Sequence, residues 1–349
     1  MTALILGANG FIGRWLTLHL LATGRPTIAG VRGNGNGNGN GDELRAWLRE
    51  RNAADAELTT VQVDVTRPDL GLSSTDREAL SATADVYNLA ARYRFGLTRA
   101  EAAAVNADGA ARTVRWAAEL PRLRRLVHLS GYRVGRDPSP AYPLPDADRR
   151  YRTEGAYEAS KREGDAAVRT LAPRLGVPTT VVNPGVVIGH SRTGESGQYL
   201  GLAPLVEQLY AGKLKALAGS ARTFVPVVAV DHLAAFLAAV PEHDTAPLAL
   251  HTVLDPRTPP LPELVATVAR RLNVRPPRAT VPLALVRRLP QRLTGVDREA
   301  LSFLSEDRYD TASAERLEAA AGLAHMPVDE LLGRWAAHVV TDRSLAGRQ

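Results

Sequence analysis

The stretch Ala3-Leu4-Ile5-Leu6-Gly7-Ala8-Asn9-Gly10-Phe11-Ile12-Gly13-Arg14-Trp15-Leu16 decides how the rest of the chain is read. The apolar run at 4–6 suits a buried strand, and it stops at Gly7. Over 14–21, Trp15, Leu18 and Leu21 recur at helical spacing. Between strand and helix the glycines are spaced G-x-x-G-x-x-G. Such a turn brings backbone N–H groups and the positive end of a helix against a phosphate. Glycine is needed where a Cβ would block the turn, the incoming pyrophosphate or the seat of the helix. The stretch predicts a nucleotide-phosphate loop.

Working outward, strand and helix patterns alternate. A second strand at 26–31 ends at Arg32, and 33–41 is a strict Gly-Asn alternation that can bury nothing. It lacks the Asp and apolar positions of calcium-binding glycine repeats, so it reads as a flexible loop without metal. A helix at 42–51, a strand at 60–65, a short helix at 76–82 and a strand at 85–91 follow. Next come a long helix at 98–119, a strand at 125–130, a proline-rich loop at 137–145, a helix at 155–171 and a strand at 179–182. This alternation predicts an α/β, Rossmann-type, doubly wound parallel sheet with helices on both faces. Beyond Pro184 the alternation weakens, with helices expected at 202–211, 230–240, 261–271 and 326–338. The expected division is a dinucleotide-binding domain at 1–185 and a smaller, mainly helical C-terminal substrate region at 186–349. The chain is expected to return to the first domain near 224–252. The basic, amphipathic segment 282–293 reads as a docked helix.

Composition narrows the function. A chain of 349 residues with 45% hydrophobic and 23% charged residues can fill one large or two moderate soluble domains. It enters its first strand without a basic leader, so no signal peptide is expected. The most apolar window, 224–240, is broken by Pro226, Asp231 and His232, which argues against a membrane span. The absence of Cys excludes disulfides and thiolate metal sites and fits a cytoplasmic location. The net charge of +6 comes almost wholly from Arg scattered among acids, with only three Lys. That pattern is a solvated face and not a nucleic-acid track.

Two segments carry chemistry. Tyr157-Glu158-Ala159-Ser160-Lys161 lies on the helix predicted at 155–171, placing Tyr157 and Lys161 one turn apart on one face. A neighbouring ammonium lowers a phenol's pKa and makes it a workable proton donor. Lys161 can also reach a ribose hydroxyl. Ser130 closes the fifth strand, at the carboxyl edge where open parallel sheets bind ligands. There its hydroxyl can hold the oxygen of a reacting carbonyl. His128 reads as a packed core residue. Tyr93, Arg94, Phe95, Tyr132, Arg133 and Tyr151 are candidates to line the substrate pocket.

Taken together, Gly7-x-x-Gly10-x-x-Gly13, Asp64-Val65, Asn88-Leu89-Ala90-Ala91, Asn106, Ser130, Tyr157-x-x-x-Lys161 and Asn183-Pro184-Gly185 resemble the extended short-chain dehydrogenase/reductases, the NAD-dependent epimerase/dehydratase type. The resemblance covers about residues 3–240, with thinner echoes at 309–313. Within it, 186–195 looks most like the branch of thioester reductase and fatty acyl reductase domains. The resemblance implies that Tyr157 is the acid/base, Lys161 its partner and ribose ligand, and Ser130 the carbonyl anchor. It implies a dinucleotide held by Gly7, Asn9, Gly10, Phe11, Ile12 and Gly13 at the pyrophosphate and by Asp64 and Val65 at the adenine. Leu89, Ala90, Ala91 and Asn106 would lie along the cofactor, and Pro184, Gly185 and Val187 near the nicotinamide. Two departures stand out. Gly131 occupies the place of a Thr usual in the thioester-reducing branch, and Asn183 replaces an Arg. Dimers of the family form through helices corresponding to 98–119 and 155–171, so a homodimer is an assembly the sequence leaves open.

Cofactor choice turns on the end of the second strand, where an acid would select NAD and a cation would receive the 2′-phosphate of NADP. The chain has Arg32 there and no acid before Asp42, which predicts NADP. The expected function is NADPH-dependent reduction of a ketone, aldehyde or thioester on a small molecule, free or carrier-bound. The alternatives are an NAD-dependent nucleotide-sugar epimerase or dehydratase and a non-catalytic NADP sensor. Arg32 argues against the first, and the Ser-Tyr-Lys set against the second.

Overall fold

The strand that opens the chain, β1 (Thr2–Leu6), lies in a seven-stranded sheet between β2 (Thr27–Val31) and β4 (Thr83–Asn88). The computed structural model describes residues 1–33, 40–53, 57–135, 140–288 and 298–346. Most of the Gly-Asn alternation, the start of the proline-rich loop and the second half of the 282–293 segment lie outside these residues. The sheet order is β3 (Leu58–Gln62), β2, β1, β4, β5 (Arg125–Leu129), β6 (Thr179–Pro184) and β10 (Leu248–Val253). Every pairing from β3 to β6 is parallel. Thr179 N–H donates to Pro247 O and Gly185 N–H to Val253 O, the even register of a parallel neighbour. All residues of β4 and β6 are buried, as strands covered on both faces require.

The crossovers run through α1 (Phe11–Ala22), α2 (Asn40–Arg49), α3 (Ser74–Leu80), α4 (Arg99–Asn106), α5 (Asp108–Ala117), α6 (Ala147–Thr153) and α7 (Ala156–Arg174). Leu4, Leu6, Val86, Leu126 and Val181 of the strands pack with Val114, Ala117, Val168 and Ala172 of α5 and α7. Burial of each such Leu or Val contributes roughly 1.5–3 kcal/mol. The helix expected at 98–119 is in fact two. A capping box of Thr98 and Glu101 starts α4, and the chain breaks at Ala107 (φ −99°, ψ −64°) before α5. Helix α7 crosses at this joint with Gly164, where a Cβ would strike the carbonyl of Asn106.

The chain divides into two compact units. One comprises Met1–Pro184, Leu233–Thr252 and Ala312–Leu323, and the other Gly185–His232, Val253–Thr311 and Ala324–Gln349. Helix α9 (Val230–His243) and strand β10 carry the chain back into the first unit, and α13 (Ala312–Ala320) brings it there again. That last visit has no counterpart in the sequence reading.

In the second unit, β7 (Val186–Ile188) pairs with β9 (Val227–Ala229), and β8 (Ala216–Ala218) with β11 (Ala279–Val281). Helices α8 (Ala203–Tyr210), α10 (Leu261–Arg271) and α14 (Val328–Ala346) enclose Val227, Val265, Val268, Leu332 and Trp335. Strands of three residues are too short to show a period, so the sequence presented this unit as helical alone. Where a docked helix was expected at 282–293, the described part holds one turn, α11 (Leu283–Val286), before α12 (Arg298–Ser302). Among the described residues, no helix is long and apolar enough to cross a membrane.

Candidate functional site

The glycine loop joins β1 to α1. Gly7 has φ +83° and donates its N–H to Gly30 O at 3.1 Å. A Cβ at Gly7 would press on Ala90 N at 3.0 Å, and one at Gly13 would collide with Gly7 O and lie 2.8 Å from Ala8 Cα. Gly10 caps α1 without a side chain, and the first turn carries no acid. The N–H groups of Phe11, Ile12 and Gly13 therefore meet no capping side chain, at the positive end of the helix dipole. Asn9 is half-buried in the same turn. Leu89 N–H donates to Leu6 O at 3.0 Å, which sets Leu89 and Ala90 beside the loop, with Ala91 exposed after them. A cradle that side chains would fill, lined by N–H donors, fits a dinucleotide pyrophosphate.

At the far end of this edge, Arg32 is exposed after β2 and Asp64 is half-buried after β3. Burial works to raise the Asp64 pKa. It is outweighed by hydrogen bonds from Thr66 N–H (2.9 Å) and Oγ1 (2.6 Å) and by the charges of Arg32 and Arg67, so the carboxyl sits below its usual range. Val65 is buried against α5, where a Cβ on Gly109 would come within 2.9 Å of its Cγ2.

Helix α7 carries Tyr157 and Lys161. Its small buried residues Ala159, Ser160, Gly164 and Ala167 let the backbone lie close to its neighbours. Lys161 is buried, and its Nζ donates to Leu129 O at the end of β5 at 2.8 Å. Burial lowers its pKa to about 8, with the Asp165 carboxyl pulling the other way. The Tyr157 ring lies 4.6 Å from that of Tyr93, tilted by 47°. Burial first, then the neighbouring Tyr93, Glu158 and Tyr132, push the Tyr157 phenol well above its ordinary value. This corrects the expectation that Lys161 lowers it. The ammonium turns to the Leu129 carbonyl, and the groups acting on the phenol are acidic or neutral.

Ser130 is buried, and its Oγ has no hydrogen bond of good geometry in the protein. It does lie close enough to Asp165 to favour that carboxylate. Burial raises the Asp165 pKa, opposed by Arg169, Ser130 and Lys161. His128, two residues earlier and so on the same strand face as Ser130, meets Asn88 Nδ2 through Nδ1 at 3.1 Å. Burial and the Lys161 charge hold its pKa near 3, so it is the neutral core histidine expected.

Asn106 is engaged within the protein. Its Oδ1 accepts from Arg92 N–H (2.8 Å), and its Nδ2 donates to Arg92 O (3.3 Å) and Ser160 Oγ (2.9 Å). The side chain thus clamps the loop after β4 to α7. Of the pocket candidates, Tyr93 and Tyr132 reach the surroundings of Tyr157, and Phe95 packs edge-on to Tyr93 at 6.0 Å. Arg94 is exposed. Tyr151 hydrogen-bonds Glu163, and Arg133 pairs with Glu158. Pro184 O accepts from Tyr132 N–H. In the second unit, Gly185 would bring a Cβ within 2.9 Å of Pro226 O, and Val187 pairs with Val228. Asn183 is buried under Gly135, where a Cβ would lie 2.6 Å from its Nδ2.

The sequence reading missed Asp165, although Tyr157, Lys161, Asp165 and Arg169 form one i, i+4 stripe that could have shown it. The pairing of Tyr93 with Tyr157 joins two distant elements and left no local signal.

A parallel sheet of this order, a glycine loop over the first helix and a Tyr-x-x-x-Lys helix define an extended short-chain dehydrogenase/reductase with a nicotinamide-dinucleotide site. The chain belongs to the NAD-binding family described as male sterility protein, which it matches over residues 5–237, in the thioester reductase-like branch. Peramine synthetase A of Epichloe festucae (strain Fl1) is 30% identical over 208 residues, or 56% of this chain, and the match spans only 7% of that protein's length. The terminal R domain from the myxalamid PKS-NRPS biosynthetic pathway shares the fold at a TM-score of 0.76 and 20% identity, over 98% of this chain and 90% of that one. The reductase domain of a nonribosomal peptide synthetase from Mycobacterium tuberculosis does so at 0.69 and 20% identity, over 99% and 92%. A UDP-galactose 4-epimerase shares it at 0.63 and 16% identity, over 98% and 99%.

Proposed function

We propose that the chain is an NADPH-dependent reductase acting on a carbonyl, whether thioester, aldehyde or ketone, of a biosynthetic intermediate that is free or carrier-bound. The observation that carries this reading is the placement of Tyr157 one turn before the buried Lys161 on α7, with Lys161 Nζ donating to Leu129 O at 2.8 Å at the end of β5, and the upward shift of the phenol goes the same way. Reduction needs a phenol that still has its proton when the carbonyl oxygen gains charge, whereas an epimerase begins by using that residue as a base. A phenol pushed up by burial and by Tyr93, Glu158 and Tyr132 is suited to the first task. The glycine cradle and Lys161 would hold the dinucleotide at the pyrophosphate and ribose, and Arg32 would receive the 2′-phosphate. When bound, NADPH would supply the hydride. Tyr157 gives its Oη proton to the carbonyl oxygen as the carbon is reduced, and solvent later returns one.

The test is nicotinamide fluorescence titration with NADPH and NADH, followed by NADPH consumption against acyl thioesters, aldehydes and ketones. Turnover of at least one class, lost in Tyr157→Phe with NADPH affinity kept, supports the reading. Tight NADPH binding without turnover of any carbonyl favours a sensor, and co-purified NAD favours an epimerase.

A further inference from the structure

A cavity of about 660 Å³ opens at the amino edge of the sheet, whereas the glycine cradle and Lys161 lie at the carboxyl edge. Its lining includes residues that lead into strands: Met1 ahead of β1, Arg25 ahead of β2 and Arg124 ahead of β5. Helix α9 contributes Ala235, Ala238, Ala239 and Glu242, which recur at helical spacing along one face. Leu20 of α1 and Leu323 after α13 add apolar lining. All of these residues belong to the first unit. The volume lies in the range of small-molecule sites, and the alanines of α9 keep it open.

Two guanidinium groups meet one carboxylate there. Asp85, fully buried on β4, accepts from Arg124 Nε at 2.9 Å and Nη2 at 2.7 Å, and Arg25 pairs with the same carboxylate. Arg25 Nη1 also donates to Tyr87 Oη at 3.3 Å and its Nε to Met1 O at 3.3 Å, so a side chain 11% exposed is held by three groups. Arg124 keeps 29% of its side chain exposed, and its Nη1 has no partner among the described residues. One carboxylate cannot neutralise two cations, so a positive charge and an unbonded guanidinium edge remain in a half-enclosed cavity. Burial lowers the His19 pKa, so that lining ring adds a hydrogen-bonding group without charge. Glu242 stands exposed among the lining residues.

From this geometry we infer that the cavity is a binding site for a small organic oxyanion, a carboxylate or phosphate monoester with a short apolar body. The oxyanion takes the Nη1 edge of Arg124 and the charge that Asp85 leaves over, and the body lies along the α9 alanines against Leu20 and Leu323. Asp85 fixes both guanidinium groups before the ligand arrives. The site is separate from the dinucleotide edge and does not depend on the reductase reading.

The experiment titrates hexanoate and hexyl phosphate into the whole protein by calorimetry, with hexanol as the uncharged control. It repeats the titration in Arg124→Gln, Ala239→Leu, Glu242→Gln and Gly10→Ala. At least one of the two anions is expected to bind saturably, with a Kd between about 10 µM and 1 mM, and the tighter one names the headgroup. Arg124→Gln, in which Arg25 still covers Asp85, should weaken binding by about 10-fold or more, the loss of a charge-assisted bond. Ala239→Leu leaves every charge in place and should weaken it as much by filling the cavity. Thermal unfolding shows that both are folded, and either decides alone if the other is not. Glu242→Gln removes a like charge and should strengthen binding by up to about 5-fold. Gly10→Ala alters only the cradle at the opposite edge and should bind as the wild type does. No saturable binding of either anion overturns the inference, as does full-strength binding in a folded Arg124→Gln or Ala239→Leu. Hexanol binding as tightly as the anions, or anion binding lost in Gly10→Ala, overturns it too.

Discussion

Lys161 donates to the backbone carbonyl of Leu129 at 2.8 Å, and this bond fixes a buried ammonium at the carboxyl end of β5. Burial brings its pKa from 10.5 to about 8. A cation whose folded pKa is depressed weighs against folding below that value, and the burden lifts as pH rises through 8 towards 10.5. In this window the unfolded chain binds the proton and the native one does not. Wild-type stability should therefore gain on that of Lys161→Met between pH 8 and 10, by about 3 kcal/mol at most. Urea unfolding of both proteins across that range checks it. Parallel curves would show that the ammonium is solvated.

The three glycines of the opening loop serve different ends, and single alanines should separate them. At Gly13 the added Cβ meets backbone, with Ala8 Cα at 2.8 Å, and no side chain can rotate away. Gly13→Ala should lower stability by about 1–3 kcal/mol, as overpacking does, and abolish dinucleotide binding with it. At Gly10, which is exposed, the Cβ meets only Gly7 O at 3.2 Å. Gly10→Ala should fold nearly as well as the wild type and lose NADPH affinity, because the methyl enters the space given to the pyrophosphate. Urea midpoints and fluorescence titration measure the two effects. A Gly10→Ala protein with full NADPH affinity would remove the cradle's assignment.

Much of the sheet was legible because its signals are local. Apolar runs, turns and helical periods follow one another along the chain and set out the alternation of strands and helices, whereas the order of the strands in the sheet depends on pairings between distant segments. Asn106 shows where that stops. Its position between Val105 and Ala107 suggested one uninterrupted helix, but Gly164, far along the chain, presses on its carbonyl and its amide holds Arg92. Tyr157 and Lys161 stood out by their spacing and by their place in the helix after the fifth strand, yet the direction in which Lys161 points depends on Leu129, which neither reports.

His128 offers a second pH test with the opposite window. It is buried and neutral, with Asn88 Nδ2 bonded to Nδ1 and its pKa held near 3 against an ordinary 6.5. Between these values the unfolded chain takes up a proton that the native one refuses, so stability falls as pH drops from 6.5 towards 3. His128→Gln keeps an acceptor for Asn88 and removes the titration. Wild-type urea midpoints should fall more steeply than those of His128→Gln between pH 6.5 and 4. Equal slopes would mean that other groups carry the acid sensitivity.

In the proposed reading, the choice between NADPH and NADH rests on one exposed guanidinium. Arg32 follows β2 directly, and the sequence has no acid between it and Asp42. Asp64, close enough to feel the Arg32 charge, already accepts two hydrogen bonds from Thr66 and stays ionised. A 2′-phosphate beside this carboxylate would be repelled unless Arg32 stood against it, whereas a 2′-hydroxyl needs no such cation. Arg32→Ala should therefore weaken NADPH binding by about 10-fold or more and NADH binding hardly at all, since a charge-assisted bond to phosphate is worth roughly 1.5–3 kcal/mol. Added salt should weaken NADPH binding in the wild type and much less in the variant, because an exposed ion pair is screened. Fluorescence titration with both cofactors at two salt concentrations gives the four affinities. Equal losses for the two cofactors would mean that Arg32 supports the loop and does not read the phosphate.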